Sequence, residues 1–159
     1  MTDLTLRRWH PHDRTWLTDL HARLYLAEAG FGADFVADVM AVQDGLVARA
    51  DPREAGWVVT RGATGMGSIF CTRFDDDTGQ IRLFLLDPGL RGSGLAERML
   101  GTARDFARAG GATRMMLWTH ESHVAACRLY ARTGWKVTSR QNIRNYGQDL
   151  VQLQWQREV

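Results

Sequence analysis

One segment near the middle of the chain constrains the fold more than any other, because an apolar run, a glycine-rich turn and an amphipathic pattern follow one another directly. The apolar run is QIRLFLL (residues 80–86), and the turn is DPGLRGSG (residues 87–94). Beyond the turn, Leu95, Met99 and Ala103 recur at helical spacing. This order predicts a strand, a tight loop and a helix whose first N–H groups have no partner within the helix.

The loop RGSGLA (residues 91–96) has the features of a phosphate site. Backbone N–H groups at a helix start carry partial positive charge and bind anions. Gly92 and Gly94 have no side chain that would block a phosphate, and Arg91 can add a charge-assisted hydrogen bond. The loop lacks the Lys-Ser or Lys-Thr pair of a nucleoside-triphosphate loop and the G-x-G-x-x-G spacing of a dinucleotide fold. Taken alone, it also fits an ordinary strand-to-helix turn.

Hydrophobic periodicity predicts the remaining elements. LTLRRWH alternates as a strand does, and two amphipathic helices follow, over about residues 13–29 and from residue 34 onward. WVVT, MGSIFCTRF and QIRLFLL predict three antiparallel strands joined by hairpin turns. RMMLWT predicts a buried strand, residues 122–132 a short helix, and WKVTSR and DLVQLQW two final strands. Without a linker or a repeat, the pattern predicts one domain over residues 1–159.

Composition argues against several functional classes. The net charge is +2 and the basic residues are scattered, which is unlike the basic patch of a nucleic-acid binder. No apolar run reaches membrane-spanning length, and the first residues do not resemble a secretory signal, so we expect a cytoplasmic protein with no membrane partner. The two cysteines, Cys71 and Cys127, suit a reducing compartment. His120 and His123 fall short of a zinc site, so we expect no metal.

Two motifs carry a resemblance to a known family. LLDPGLRGSGLAERML resembles the cofactor-binding motif of the GNAT N-acetyltransferase superfamily, Q/R-x-x-G-x-G/A, with Arg91, Gly94 and Ala96 at the fixed positions. HVAACRLYARTGW resembles the family segment N-x-x-A-x-x-L-Y-x-x-x-G-F. The matching residues of this second motif are Ala126, Leu129, Tyr130 and Gly134. It departs from the pattern at Trp135, which replaces Phe, and at His123, which replaces the frequent Asn.

A closer resemblance is to the acetyltransferase domain of bacterial proteins that fuse a MarR-type DNA-binding domain to a GNAT domain. DLHARLYLAEAGFGADF, LWTHESHVAACRLY and YGQDLVQLQW are similar to segments of that group.

The resemblance implies a fold and an activity. The fold would be α/β (α+β), with a central, mixed but mostly antiparallel sheet of about seven strands, splayed between strands four and five and flanked by about four helices. The activity would be acyl transfer from acetyl-CoA to a primary amine of a small molecule or peptide, by direct attack without an acyl-enzyme. A non-catalytic acetyl-CoA sensor or regulatory module is the alternative. A different acyl donor and a homodimer paired through the C-terminal strands also remain open.

The resemblance also implies roles for individual residues. Tyr130 matches the tyrosine that protonates the departing CoA thiolate, although a packed tyrosine is the other interpretation. His120 is the candidate general base, with Glu121, His123, His21 or a water chain as alternatives. The predicted cofactor-binding residues are Leu85, Leu86, Arg91, Gly92, Ser93, Gly94, Leu95, Ala96 and His123. The predicted acceptor-binding residues are His21, Tyr25 and Trp118.

Overall fold

The structure is organised around one seven-stranded sheet. A computed structural model describes residues 3–159 of the chain. The strands are β1 (Leu4–Arg8), β2 (Ala55–Arg61), β3 (Thr64–Asp75), β4 (Thr78–Leu86), β5 (Arg114–His120), β6 (Lys136–Asn145) and β7 (Gln148–Glu158). The helices are α1 (Arg14–Ala29), α2 (Ala33–Arg49), α3 (Leu95–Ala109) and α4 (Val124–Arg132). Single 3-10 turns precede α1 and follow β4, at Pro11–Asp13 and Pro88–Leu90.

The sheet is mixed and mostly antiparallel, as the sequence resemblance implied. Its strand order is β1-β2-β3-β4-β5-β7-β6, and only β4 and β5 run parallel. Three residue pairs join β4 to β5, from Thr78 with Arg114 to Gln80 with Met116. Beyond these pairs the two strands separate, so the predicted splay between strands four and five is confirmed.

The two faces of the sheet pack against different helices. Trp57 and Val59 of β2 lie in the largest core cluster with the buried face of α3 and part of α4. Val58 between them packs with Leu17 of α1 and Val42 of α2 on the other face. This alternation follows from the two-residue period of a strand. Helices α1 and α2 therefore cover one face, and α3 and α4 cover the other.

The strand and helix order matches the sequence prediction, but some boundaries differ. Strand β6 runs to Asn145, five residues beyond the predicted segment WKVTSR, and β7 runs to Glu158. Nearly all of β6 is exposed because it is the edge strand, so it lacks the apolar alternation that predicts a half-buried strand. Within the described residues, no helix is both long and apolar enough to span a membrane.

Candidate functional site

The gap between β4 and β5 is the centre of the candidate site. β4 keeps its pairing with β3 as far as Leu86, and β5 keeps its pairing with β7 as far as His120. The facing edges of the two strands are unpaired beyond Gln80 and Met116. Free N–H and C=O groups on such edges can pair with an extended ligand, as an added strand does.

A bulge shapes the β4 side of the gap. Between the pairs Ser68 with Leu85 and Phe70 with Arg82, β4 has one residue more than β3. Leu83 adopts a left-handed backbone conformation (φ 47°), and the Ser68 hydroxyl donates a hydrogen bond to its carbonyl oxygen at 2.5 Å. A bulge re-aims the residues that follow it. The sequence did not predict this bulge, because QIRLFLL contains no glycine or proline to mark it.

Leu85 and Leu86, predicted to hold pantetheine, form the end of β4 beside the gap. The Leu85 side chain is buried against Leu20 and Leu24 of α1. The Leu86 side chain packs against the core cluster on the α3 face. The two residues thus hold the open end of β4 between the two helical layers.

The glycine-rich loop leads from β4 to the start of α3. Gly92 and Gly94 have φ angles of 78° and 79°, a region that favours glycine, and a Cβ atom at either would meet nothing within 4 Å. Gly94 is the N-cap of α3 and no side chain caps the helix from that position. The Ser93 hydroxyl donates to the Leu90 carbonyl oxygen at 2.6 Å, which braces the turn. Unsatisfied N–H groups on an exposed helix start fit a pyrophosphate.

Arg91 contacts a residue that sequence reasoning did not single out. Its guanidinium donates to Oε1 of Glu28, near the end of α1, at 2.8 Å. Both side chains are about half exposed, with 52% and 45% of their surface open. The ion pair links the loop to the helix on the other face of the sheet. To bind an anion in the loop, the Arg91 guanidinium must either break its ion pair with Glu28 or use a different N–H group for the anion while the ion pair remains.

Tyr130 lies on α4 and is almost fully buried. Its ring is 5.9 Å from that of Trp135 and 5.7 Å from that of Trp155, and Phe84 of β4 lies 6.4 Å away. Burial raises the pKa of the Tyr130 phenol, and the nearby Tyr25 and Cys127 raise it further. The phenol therefore stays protonated at neutral pH, as a proton donor must.

His120 and His123 stand at the end of β5 and at the start of α4. Their rings are 5.5 Å apart. Burial lowers the pKa of both, and for His120 the neighbouring His123 lowers it further. Nδ1 of His120 is buried without a hydrogen-bond partner among the described residues. A neutral imidazole with a free ring nitrogen is suited to accept a proton.

On the α1–α2 side of the site, Tyr25, Phe31, Phe35 and Tyr146 pack together and form a group that we call the aromatic wall. Tyr25 of α1 lies 5.6 Å from His123 and 4.5 Å from Phe35, and Phe31 lies 5.6 Å from His120. Tyr146, in the turn between β6 and β7, packs on Phe31 at 4.8 Å. Sequence reasoning missed Phe31, Phe35 and Tyr146, since their contacts join segments that are distant along the chain. Burial is the main cause that raises the pKa of Tyr25 to about 12.

His21 lies deeper in α1 and behaves as a buried neutral residue. Its Nδ1 is 2.9 Å from the carbonyl oxygen of Leu17, which can only accept, so Nδ1 carries the proton. Its Nε2 is buried without a partner among residues 3–159. Burial lowers the pKa of His21 to about 4. The ring stacks 6.2 Å from Tyr25, behind the wall.

Trp118 is not part of the aromatic wall. Its side chain is 48% exposed, and its ring approaches that of Phe74 on β3 edge-on, with 6.3 Å between the ring centres. The other predicted acceptor residues, His21 and Tyr25, lie together on α1. No group of three or more potential metal ligands occurs in the described part of the chain.

Comparison with known proteins adds a family and a set of similar structures. The model of the family described as "Acetyltransferase (GNAT) family" matches residues 7–135. The comparison with curated proteins found no match. Among solved structures, yncA of Salmonella typhimurium, described as an acetyltransferase with its cofactor acetyl-CoA, is 20% identical with a TM-score of 0.79. The alignment covers 98% of this chain and 93% of that one.

Two further structures are similar over their whole length. An acetyltransferase from Streptococcus agalactiae is 20% identical, with a TM-score of 0.78 and 98% of both chains covered. A protein described as a phosphinothricin N-acetyltransferase is 16% identical, with a TM-score of 0.77 and 99% of both chains covered. At these identities the likeness shows that the fold is shared.

Proposed function

Because the chain belongs to the GNAT acetyltransferase family, we propose that acetyl-CoA is its acyl donor and that it transfers the acetyl group to a primary amine by direct attack of the amine on the thioester. The observation that carries this proposal is the uncapped, glycine-lined start of α3 beside the gap between β4 and β5. The first feature suits a pyrophosphate and the second an extended pantetheine chain. Residues 91–96 and the backbone of Leu85 and Leu86 would hold these two parts.

Bound acetyl-CoA supplies an activated acyl carbon. In the proposed reaction the amine nitrogen forms a bond to that carbon, and the bond from the carbon to sulfur breaks. The amine proton passes to His120, directly or through water, and Tyr130 donates a proton to the departing thiolate. Both residues border the gap, and both have the protonation state that the step requires. Holding the reactants in one orientation contributes to the rate in addition to this proton transfer.

Tyr25 and Tyr146, the partly exposed members of the aromatic wall, support an acceptor site on the α1–α2 side. The wall adjoins His120 and His123 at the end of β5. An amine that enters from this side would meet the thioester from the face opposite α3. His21 would support the wall from behind, and Trp118 would border the entrance.

Thiol release with a panel of amines tests the proposed activity. We expect the protein to bind acetyl-CoA, measured by isothermal titration calorimetry, and to release free CoA with at least one primary amine. Acetylated product of the matching mass should appear at the same rate. A protein that binds acetyl-CoA but releases CoA with no amine would act as a sensor, and the proposal would be wrong.

Three finer assignments belong to the same proposal. The segments DLHARLYLAEAGFGADF and YGQDLVQLQW favour a relationship to the MarR-GNAT fusion proteins. Unpaired Cys71 and Cys127 favour a reducing, cytoplasmic environment.

Strand β6 forms a free edge of the sheet, which supports pairing of two copies. Light scattering on the purified protein would measure the mass and decide between monomer and dimer.

A further inference from the structure

Arg82 occupies a distinctive place at the mouth of the gap. It lies on β4, two residues beyond Gln80, which forms the last pair with Met116 of β5. In the same parallel register, Trp118 lies two residues beyond Met116. Arg82 and Trp118 are therefore level with each other on the two strands, at the point where the strands diverge.

Both side chains are on the α1–α2 face of the sheet. Their neighbours Ile81 and Leu117 belong to the core cluster on the α3 face, and side chains alternate along a strand. The charges that act on Arg82 include Asp38 of α2 and Tyr146 of the β6–β7 turn. Arg82 thus lies on the side of the aromatic wall, and Trp118 turns its ring toward Phe74 of β3 with 48% of its surface exposed.

Within the part of the chain that the structure describes, no carboxylate pairs with the Arg82 guanidinium. Nine ion pairs join arginines to carboxylates among residues 3–159, and Arg82 takes part in none of them. The two carboxylates whose charges act on Arg82 are already engaged, because Asp38 accepts from the Tyr146 hydroxyl at 2.6 Å and Glu54 pairs with Arg49 at 2.7 Å. Burial is the main cause that lowers the pKa of Arg82, yet an arginine stays charged at neutral pH.

We propose that the acceptor amine is an aromatic amino acid, whose carboxylate is bound by Arg82. This inference rests on the proposed function and specifies its substrate. A guanidinium binds a carboxylate through two parallel hydrogen bonds, and part of the Arg82 side chain remains open to solvent for such contact. Trp118, which is 48% exposed, and Tyr146, which is partly exposed above the buried Phe31, offer the aromatic surfaces that an aromatic side chain prefers.

Matched acceptors that differ only in the carboxylate test this inference. L-Phenylalanine is compared with 2-phenylethylamine, and L-tryptophan with tryptamine, by CoA release under acetyl-CoA saturation. We expect kcat/KM to be about 10- to 100-fold higher for the amino acid of each pair, the range of a charged hydrogen bond. Equal values, or a preference for the amine without a carboxylate, would overturn the inference.

Three variants locate the effect at Arg82. Arg82→Gln should bring the ratio of the two kcat/KM values close to one, and Arg82→Lys should keep part of the preference because it retains the charge. Arg61→Gln, at an exposed arginine at the end of β2, is the matched control and should keep the full ratio. Acetyl-CoA affinity and thermal midpoint report whether each variant is folded. An Arg82→Gln variant that is folded and retains the ratio would also overturn the inference.

The same assays separate this inference from the proposed activity. CoA release with other amines, but not with either amino acid, would overturn the inference and leave the activity intact. If no amine releases CoA, the proposed activity is wrong. Calorimetric titration of L-phenylalanine into the CoA-loaded protein then tests the inference about Arg82 by itself. Binding that is lost in Arg82→Gln would support it, and absence of binding would overturn it.

Discussion

At the scale of single residues, burial sets the protonation state of Tyr130, the proposed proton donor. Its ring is fixed between Trp135 and Trp155, and its environment raises the pKa of the phenol. A phenol with a raised pKa stays protonated at neutral pH, but it is a weaker acid than a thiol, whose ordinary pKa is about 8.5. In the proposed reaction the phenol donates a hydrogen bond to the departing CoA thiolate, and complete transfer of its proton must be compensated by return of a proton from the attacking amine.

Replacing Tyr130 with Phe should remove the acid and keep the packing. We expect kcat to fall about 100-fold, the low end of general-acid catalysis, while the ring contacts with the two tryptophans remain. Acetyl-CoA affinity and the thermal midpoint should stay close to those of the unchanged protein. Steady-state kinetics and calorimetry measure these quantities. An unchanged kcat would exclude the acid role.

His120 should set the acidic limb of the pH–rate profile. Its pKa is lowered by burial and by His123, so the neutral form dominates down to a pH below the ordinary histidine value of about 6.5. We expect kcat/KM to fall as the pH drops through that lowered pKa, and His120→Gln to lose this limb. Because only the neutral amine attacks, the amine adds a second limb that also falls toward low pH, at about pH 9 to 10, and this limb should persist in the variant. A variant that also keeps the limb below about pH 6.5 would remove His120 as the base.

At the scale of elements, the loop and the start of α3 together form the proposed anion-binding site, and a substitution at Gly94 tests this proposal. A Cβ at Gly94 has free space, so Gly94→Ala changes mainly the cost of the left-handed conformation, about 1–2 kcal/mol. We expect acetyl-CoA affinity to fall about 5- to 30-fold if the loop must keep this conformation to bind. Calorimetric titration measures the change.

Gly101→Ala provides the matched control within α3. A Cβ there also meets nothing within 4 Å, but the residue is helical, so alanine should stabilise the helix by about 0.5–1 kcal/mol. We expect its acetyl-CoA affinity to match that of the unchanged protein. Equal affinities in both variants would show that the loop conformation does not matter for the cofactor.

Local sequence patterns predicted most elements, and their failures have physical reasons. The strand, loop and helix from QIRLFLL to α3 could be predicted, because strands and helices differ in hydrophobic period and glycines mark the turn between them. The end of β6 was not readable, because this exposed edge strand needs only its pairing with β7. The Leu83 bulge was equally hidden, since it depends on the register against β3 and the Ser68 hydroxyl.

At the scale of the molecule, the site is assembled by contacts between distant segments. Glu28 and Arg91 are 63 positions apart, and Asp38 and Tyr146 are 108 apart. No local pattern encodes such pairs, so the sequence indicated the cofactor loop, Tyr130 and Tyr25 but not the other members of the aromatic wall. The wall joins α1, α2 and the β6–β7 turn, and its stability is therefore tied to global folding.

The buried histidine behind this wall should make the unfolding free energy depend on pH. The pKa of His21 is lowered to about 4 in the folded protein, against about 6.5 when unfolded. A histidine with a depressed folded pKa stabilises the protein fully above pH 6.5, and this contribution declines as the pH falls toward 4. Between pH 7.5 and 4.5 the loss should be about 2–3 kcal/mol.

Denaturant unfolding of His21→Phe against the unchanged protein isolates this contribution from that of other titrating groups. Phenylalanine keeps a ring beside Tyr25 but cannot bind a proton, so the variant should lose about 2–3 kcal/mol less than the unchanged protein over the same pH range. His12→Gln, at an exposed histidine, is the matched control and should follow the unchanged protein. Parallel curves for His21→Phe and the unchanged protein from pH 7.5 to 4.5 would contradict this prediction. They would mean that His21 becomes protonated in the folded protein, which requires α1 to open locally while the sheet stays folded.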